Sequence, residues 1–378
     1  MESTSVRQWW WLSLLLFSGM LAGCNGGQSG DLPPMKATAV GYVQGALDNT
    51  VSSFLLNEGN GALAVVASAP TDALPGYLAI TPDGRFLFVS NSKAGTISRF
   101  LLGGAGEMQS AGPAVHLTSP NAQSFSLAMA PSGQFLFVGT DANAIEVFHI
   151  DLKTGDLQPV PNSPFPVASV VAELAFTHSG KFLYASGGNT NAIYQFAVGS
   201  SGDLTPLPSS PLHTDLIPNR LRLHPSDKYL FAAAYQAQYY EVNTLLIYSI
   251  QDSGDLQETT TSRVATGRYV PDFTVAPNGR FMYLVALFDN NILGFSFDPA
   301  TAALTPIPGS PFLDGQTPSA VAVSPQGSIL VVGRINPGHV ATFGIDPQTG
   351  ALSPISGNLF DSGIVTGNNP NSLLLLPK

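Results

Sequence analysis

Short apolar runs alternate with turn residues along most of the chain. One such run follows a Pro-Asp-Gly-type turn and mixes aromatic with aliphatic residues, which predicts a β-hairpin. Six segments share this pattern and align without gaps: TPDGRFLFVSN (81–91), APSGQFLFVGT (130–140), THSGKFLYASG (177–187), HPSDKYLFAAA (224–234), APNGRFMYLVA (276–286) and SPQGSILVVGR (324–334). Consecutive copies are 49, 47, 47, 52 and 48 residues apart, so the chain is built from a repeat of nearly constant length.

A second pattern alternates with the first and predicts two more strands, joined by a turn of the Thr-Gly-Asp-Leu type. It occurs in seven segments, at residues 49–63, 95–108, 143–157, 191–204, 243–256, 290–304 and 338–352. Each repeat therefore predicts four short strands. Four-stranded units of this length predict the blades of a β-propeller, so we expect an all-β fold.

The two ends of the repeat region predict how the ring closes. The C-terminal segment PNSLLLL (370–376) predicts an inner strand that no partner strands follow, whereas segments 39–45, 50–56 and 62–69 predict outer strands that no inner strand precedes. We expect one C-terminal and three N-terminal strands to pair in the same blade, the seventh, which leaves no open edge. The alternative, six blades with loose ends, would leave an apolar strand without a sheet.

The N-terminus carries the pattern of an export signal. Arg7 precedes an apolar run over residues 9–17, which is too short to span a bilayer and suits a signal peptide. The run ends in Leu-Ala-Gly-Cys, with Cys24 the only cysteine of the chain, and this resembles the bacterial lipobox, in which the cysteine is acylated. We therefore expect a lipoprotein signal peptide at 1–23, a flexible tether at 24–37 that starts from lipidated Cys24, and a propeller at 38–378.

This resemblance implies a location in the cell envelope, attached to the membrane through the N-terminal lipid only. The residue after the cysteine is Asn25, whereas an Asp there would resemble the signal for retention at the inner membrane, so the outer membrane is favoured. The alternative is an ordinary secretory signal with an incidental cysteine.

Composition narrows the possible functions. Of 378 residues only 11% are charged, the net charge is −10, and the basic residues do not cluster, which argues against nucleic acid as a partner. One cysteine and six scattered histidines exclude a disulfide framework and make a metal site improbable. No Gly-x-Ser-x-Gly nucleophile motif and no phosphate-binding glycine loop occurs. We expect no cofactor, no metal and a monomer.

The repeat pattern, taken over residues 38–378, resembles the seven-bladed propeller lactonase family, which includes 6-phosphogluconolactonase-type and muconate-lactonising enzymes. The resemblance implies hydrolysis of a sugar or carboxylate lactone. Active members carry Pro-Arg-His before one inner strand and Asn-Glu at the end of the next strand. Here Pro218-Asn219-Arg220 and Ala234-Tyr235 stand at those positions, so Arg220 and Tyr235 replace the family's His and Glu. Whether the chain is an enzyme or a non-catalytic binding protein therefore stays open.

The residues equivalent to Arg220 define a candidate site, because equivalent positions on a propeller converge on its axis. Around the ring they are Tyr77, Ser126, Glu173, Arg220, Asp272, Ala320 and Ser372. Three consecutive repeats thus place a charge at this position, and Arg222 adds a second cation on the same strand face.

Three interpretations of these charges are open. The acidic and basic groups neutralise each other and plug the channel. Alternatively, Arg220 and Arg222 bind a carboxylate or phosphate while Glu173 or Asp272 acts as the catalytic base. Metal binding by the two carboxylates is a third, against which the intervening arginine argues.

Two further residues are predicted to bind ligand. Tyr235 opens a long predicted loop, 234–243, whose aromatic residues suit a sugar or protein contact, and Arg334 lies in the corresponding loop of a later repeat. The expected partner is a small anionic or sugar-like ligand or an envelope protein.

Overall fold

The chain's short strands and turns assemble into a ring of antiparallel sheets. The structure is a computed structural model, and it describes residues 36–45, 48–236, 239–335, 340–355 and 373–378. The ring belongs to one compact unit, Ala37–Lys378. Within the described ranges, no helix is both long enough and apolar enough to cross a membrane.

Thirty-two β-strands lie in the described residues. The first repeats contain β1 (Ala39–Gly45), β2 (Thr50–Leu56), β3 (Leu63–Pro70), β4 (Pro75–Ile80), β5 (Phe86–Asn91), β6 (Thr96–Leu102), β7 (Met108–Ser110), β8 (Val115–His116), β9 (Ser124–Met129), β10 (Phe135–Thr140), β11 (Ala144–Ile150), β12 (Leu157–Pro159) and β13 (Phe165–Pro166). The middle repeats contain β14 (Val171–Phe176), β15 (Phe182–Gly187), β16 (Ala192–Val198), β17 (Leu204–Pro206), β18 (Leu212–His213), β19 (Ile217–Leu223), β20 (Tyr229–Gln236), β21 (Tyr239–Ile250) and β22 (Leu256–Ala265). The last repeats contain β23 (Asp272–Val275), β24 (Phe281–Ala286), a 3-10 helix (Leu287–Asp289), β25 (Asn291–Asp298), β26 (Ala303–Pro306), β27 (Phe312–Leu313), β28 (Pro318–Val323), β29 (Ile329–Arg334), β30 (Val340–Ile345), β31 (Leu352–Pro354) and β32 (Leu373–Pro377).

These strands form seven sheets, which we number as blades 1 to 7 in chain order. Blade 1 has the order β32-β1-β2-β3, so the C-terminal strand is its innermost member. Blades 2 to 7 have the inner strands β4, β9, β14, β19, β23 and β28, each followed outward by the next three strands of its repeat. The predicted seven-bladed, all-β fold and its closure by one C-terminal and three N-terminal strands are therefore confirmed.

The pairing that closes the ring is regular. Strand β32 runs antiparallel to β1 with Leu374 opposite Tyr42, and β32 contacts the inner strands β28 and β4 of both neighbouring blades. The closing pair completes blade 1 as a four-stranded sheet, and a closed ring of such blades leaves only short, protected strand edges.

Adjacent blades are held together by apolar side chains. Seven clusters of buried hydrophobic residues are present, and each lies between one blade and the next around the ring. The cluster between blades 7 and 1 includes Leu373 of β32, and the cluster between blades 1 and 2 is flanked by Leu374 and Leu376. Alternate leucines of the last strand thus pack against the two neighbours of blade 1.

The fourth strand of several blades is divided in two, which the sequence interpretation did not foresee. The short strands β8, β13, β18 and β27 pair with the third strand of blades 2, 3, 4 and 6 beside the break. In three of these blades the break is a Ser-Pro dipeptide, and the Ser163, Ser210 and Ser310 hydroxyls accept hydrogen bonds from Val147 N, Gln195 N and Gly294 N at 2.9, 2.9 and 3.0 Å. These hydroxyls replace the carbonyls that an unbroken strand would supply.

A recurrent bulge positions the first residues of the inner strands. The register shifts between Pro75 and Tyr77, between Val171 and Glu173, and between Pro218 and Arg220. A bulge adds an unpaired residue and changes where the next side chain points. The same irregularity therefore sets the residues that begin the inner strands at one end of the ring, which we call the channel mouth.

Candidate active site at the channel mouth

Four charged side chains from three consecutive blades meet at the channel mouth. They are Glu173 of β14, Arg220 and Arg222 of β19, and Asp272 of β23, and we call them the charged cluster. Arg222 NH2 lies 2.6 Å from Asp272 Oδ1, and Glu173 lies 3.5 Å from Arg222 NH1 and 3.7 Å from Arg220 NH1. The structure thus brings together these four sequence-predicted site residues.

Asp272 is fully bonded within the protein. Its Oδ1 accepts hydrogen bonds from Phe273 N (2.9 Å) and Arg222 NH2 (2.6 Å), and its Oδ2 accepts one from Val321 N of blade 7 (3.0 Å). Burial raises the pKa of Asp272, while Arg222 and the backbone N–H groups oppose that shift. This carboxylate links blade 6 to both of its neighbours, which is a structural task.

Glu173 is bonded much less completely. Its distances to the two guanidinium groups, 3.5 and 3.7 Å, exceed those of a good hydrogen bond, and its buried Oε2 has no hydrogen-bond partner among the described residues. Burial raises the pKa of Glu173, with Arg222 and then Arg220 acting against the shift. The contrast with Glu146 is direct, because that buried carboxylate accepts three hydrogen bonds from Thr118 and Ser119.

Arg220 reaches across the mouth from blade 5 towards blade 2. Its Nε donates to Pro271 O at 2.7 Å, and its guanidinium carbon lies 6.0 Å from the ring centroid of Tyr77, a cation–π distance. The side chain is only 5% exposed. Burial raises the pKa of Tyr77 to about 12, although Arg220 works in the opposite direction.

Arg222 is the most accessible member of the charged cluster, with 29% of its side chain exposed. Its Nε donates to Phe273 O at 3.0 Å, its NH1 donates to Leu221 O at 2.8 Å, and its guanidinium lies over the Phe273 ring. These contacts fix the plane of the guanidinium while part of the side chain remains exposed. A fixed, partly exposed guanidinium suits recognition of a carboxylate or phosphate.

Tyr235 lies in a strand and not in the predicted loop. Strand β20 continues to Gln236 and β21 begins at Tyr239, so most of the predicted loop 234–243 is an extension of the hairpin. Tyr235 pairs with Ile217 on one side and Asn243 on the other and is 7% exposed. The loop prediction was wrong because the aromatic and β-branched residues that suggested a contact surface also favour strands.

Arg334 forms a separate buried ion pair. Its NH2 lies 2.6 Å from Asp314 Oδ1, its Nε is 3.0 Å from both oxygens of that carboxylate, and its NH1 donates to Gln316. Burial raises the pKa of Asp314 against the effect of Arg334. The bidentate pair closes off Arg334, whose role in ligand binding stays a prediction. Cys24 lies outside the described residues, so its lipidation also stays a prediction.

Tyr77 also lies at the channel mouth, although the sequence did not single it out as a site residue. It occupies the same repeat position as Glu173, Arg220 and Asp272, so the alignment of repeats contained the signal. Its contact with Arg220 joins blades 2 and 5, and such a contact across the ring depends on channel width, which repeat spacing does not encode.

The charged cluster contains one group suited to take up a proton and another suited to hold an anion. The charged cluster contains two cations and two anions, so it is neutral as a whole when all four groups are ionised. Glu173 is the group best placed to take up a proton, because its pKa is raised and its Oε2 is unbonded. Arg222 is the group best placed to hold an anion.

Comparisons with known proteins bear on the family and the fold. The family described as "Lactonase, 7-bladed beta-propeller" matches residues 35–171, 161–271 and 255–363. Two 6-phosphogluconolactonases are similar to part of the chain over 132 residues: that of Pectobacterium carotovorum is 33% identical and that of Pectobacterium atrosepticum is 30% identical. The matched stretch spans 32% of this chain and 37% of each of these relatives.

Solved structures extend the likeness over nearly the whole chain. The periplasmic gluconolactonase of Pseudomonas aeruginosa has a TM-score of 0.73 at 18% identity, over 90% of this chain and 99% of that one. A Bacteroides fragilis protein assigned provisionally as a 6-phosphogluconolactonase has a TM-score of 0.76 at 18% identity, over 92% and 100%. At such identities the likeness concerns the fold, whereas the family match rests on sequence. Because that match runs from residue 35 to residue 363, the chain belongs to the seven-bladed β-propeller lactonase family.

Proposed function

We propose that this protein hydrolyses a sugar or carboxylate lactone at the channel mouth. The observation that carries the proposal is the state of Glu173: its carboxylate lies between two guanidinium groups, and its buried Oε2 has no hydrogen-bond partner among the described residues. A carboxylate in this state has an unused acceptor and a raised pKa, which are the properties of a general base.

In this proposal Glu173 removes a proton from a water molecule that attacks the lactone carbonyl. A bond forms between the water oxygen and the carbonyl carbon, the ring C–O bond breaks, and the proton passes to the departing ring oxygen. Arg222, whose side chain is partly exposed, holds the acid or phosphate group of the substrate. Asp272 keeps Arg222 in place through their 2.6 Å ion pair. Glucono-δ-lactone and 6-phosphogluconolactone, the substrates suggested by the relatives' names, are the first to try.

The decisive experiment compares two buried glutamates. The full-length protein and its Glu173→Gln and Glu58→Gln variants are assayed for hydrolysis of both lactones. Glu58 is the matched control, because it is 5% exposed, has an unbonded Oε1 like Glu173, and lies between blades 1 and 7 beside the turn at Gln326 and Ser328.

Loss of a general base lowers kcat by about 10²–10⁴-fold. We expect that loss in the Glu173 variant and near-normal kcat in the Glu58 variant. Full activity in a folded Glu173→Gln protein would overturn the assigned role. Absence of lactone hydrolysis by the wild-type protein would overturn the enzymatic proposal itself.

One observation favours a second function, which is binding without catalysis. The four charges compensate one another within the protein, Arg220 is 5% exposed, and Arg220 and Tyr235 occupy the positions of the family's His and Glu. Calorimetric titration with gluconate separates the two functions, because a binding protein retains the sugar acid and turns over no lactone.

The site is further proposed to act in the bacterial envelope, with the protein anchored by a lipid on Cys24. The support is the lipobox-like Leu-Ala-Gly-Cys sequence and the uniqueness of the cysteine. The Cys24→Ser variant should leave the membrane fraction of its host. A variant that still fractionates with membranes would contradict the anchor.

A further inference from the structure

An aromatic residue in a strained conformation stands beside the charged cluster. Tyr269 has a φ of +52°, in the left-handed region that bulky residues rarely occupy. It lies two residues before Pro271, whose carbonyl accepts the hydrogen bond of Arg220 Nε. Strained residues persist only where surrounding contacts hold them, and they concentrate at ligand sites.

A network of hydrogen bonds holds Tyr269 in this conformation. Leu287 N donates to Tyr269 O at 3.0 Å, and Phe288 N donates to Arg268 O at 3.3 Å. Asp289 receives hydrogen bonds from Arg268 N and Arg268 Nε at 2.7 and 2.6 Å, while Arg268 NH2 donates to Phe288 O. The 3-10 helix that follows β24 is thus tied, residue by residue, to the segment that leads into β23.

The result is a stacked pair of aromatic rings at the surface. The rings of Tyr269 and Phe288 have centroids 5.4 Å apart and planes inclined by 27°. We call this pair the aromatic platform. Phe288 is 53% exposed, so one face of the platform is open to solvent although the protein core could have buried it.

The aromatic platform lies next to the charged cluster. Pro271, two residues after Tyr269, accepts the hydrogen bond of Arg220 Nε, and Asp272, the residue after that, forms the 2.6 Å ion pair with Arg222. An apolar stacking surface and a partly exposed cation, Arg222, therefore border the same mouth.

The surroundings of the platform decide what it would bind. Phe288 is flanked by Arg268 and Asp289, whose side chains are 52% and 24% exposed. A small aromatic face with charged groups at its edge suits a ring that is apolar on its C–H face and carries hydroxyl groups at its rim. A hydrophobic partner protein would require a broader apolar surface.

We propose that the aromatic platform is a sugar subsite, on which the C–H face of a pyranose-type ring stacks while the acid group of the same ligand faces Arg222. The subsite rests on the proposed function for its location and adds the residues that select a sugar ring over other anions. Tyr269 and Phe288 are positioning residues in this scheme, since the reacting atoms lie at Glu173.

The test uses full-length protein and two probes of different shape, glucuronate, which has a pyranose ring and a carboxylate, and inorganic phosphate, with affinities measured by calorimetry. Phe288→Ala is expected to weaken glucuronate binding about tenfold and to leave phosphate binding unchanged. Arg222→Gln is expected to weaken both. Leu152→Ala is the matched control, because Leu152 is also an exposed apolar residue (36%) but belongs to the turn between β11 and β12, at the other end of the ring.

Kinetics supply the second readout. With glucono-δ-lactone as substrate, Phe288→Ala should raise KM about tenfold with kcat within twofold of the wild-type value. Glucuronate affinity and KM that stay within twofold of wild type, or that change equally in Leu152→Ala, would overturn the subsite. Platform-dependent glucuronate binding without any lactone turnover would overturn the proposed function and leave the subsite standing, whereas turnover insensitive to Phe288 would do the reverse.

Discussion

Glu173 differs from the other buried glutamates in how its charge is compensated. Glu146 accepts three hydrogen bonds and Glu58 accepts two, whereas Glu173 makes only long ion pairs with the residues that the structure describes. Its position in the repeat was enough to predict that it meets Arg220 and Asp272. Its incomplete bonding was not predictable, because sub-ångström differences in the approach of Arg222 decide it.

The raised pKa of Glu173 has a consequence for stability. A carboxyl group whose pKa is higher in the folded than in the unfolded state stabilises the fold below the unfolded pKa, and this contribution is lost as the pH rises through the folded pKa. We therefore expect wild type to lose unfolding free energy relative to Glu173→Gln as the pH rises above about 4.3, the ordinary pKa of Glu. Urea titrations across that range measure it, and a pH-independent difference would show that Glu173 titrates normally.

The Thr-Gly turns, which join the third and fourth strands of a blade, give a second prediction about a single residue. Gly155 has a φ of +74°, and a Cβ there would lie 2.7 Å from Phe86 of the preceding blade. Left-handed strain and overpacking together should make Gly155→Ala cost about 2–5 kcal/mol. The equivalent residue of blade 6 is Ala302, at a φ of +57° and buried.

The Ala302→Gly variant provides the comparison. Relief of left-handed strain stabilises this variant, whereas loss of a buried methyl group destabilises it. We therefore expect its unfolding free energy to lie within about 1 kcal/mol of the wild-type value. Urea unfolding followed by circular dichroism measures both variants. Equal destabilisation by Gly155→Ala and Ala302→Gly would mean that contact with the neighbouring aromatic ring does not determine which residue occupies this turn position.

At the scale of elements, repeat spacing predicted the first three strands of each blade and missed the division of the fourth. The strand positions follow from turn residues and aromatic runs, which are local signals. The division depends on a serine hydroxyl that reaches the third strand, as Ser163 does to Val147 N. Blade 5 instead has an unbroken fourth strand, β22, beside a long β21, and its aromatic residues were predicted to form a loop.

The closing strand β32 gives a prediction about the contribution of a whole strand to stability. Deletion of residues 373–378 removes the innermost strand of blade 1, in which Leu373 is buried and Leu374, Leu375 and Leu376 are half-buried. With about 1.5–3 kcal/mol for each fully buried leucine, the loss is about 4–8 kcal/mol, comparable with the stability of a whole domain. The truncated protein should be insoluble or unfold at far lower urea concentration. Leu313→Ala is the control, because this leucine is 84% exposed and its replacement should leave unfolding unchanged. A truncated protein with unchanged unfolding would make β32 dispensable.

For the whole molecule, ring closure was predictable because the counts of the two repeat motifs differ by one. The contact between Tyr77 and Arg220 was not, because it joins blades three apart and depends on the width of the ring. Sequence periodicity thus fixes blade number and the circle of residues at the mouth, while the geometry across the mouth requires the structure.

Cleavage of the expected signal peptide can be tested by fluorescence. All three tryptophans, at positions 9, 10 and 11, fall in the expected signal peptide. The mature protein should therefore show tyrosine emission alone. Indole emission from purified mature protein would mean that this segment is retained.

The position of β32 in blade 1 also sets the timing of folding. Gly45 ends β1 and Leu373 begins its inner partner, 328 residues later. At a synthesis rate of about 5–20 residues per second, β1 waits roughly 16–66 s before that partner exists. During this interval its inner edge is unpaired and open to misassociation. The ring therefore closes only after the C-terminal strand has been made.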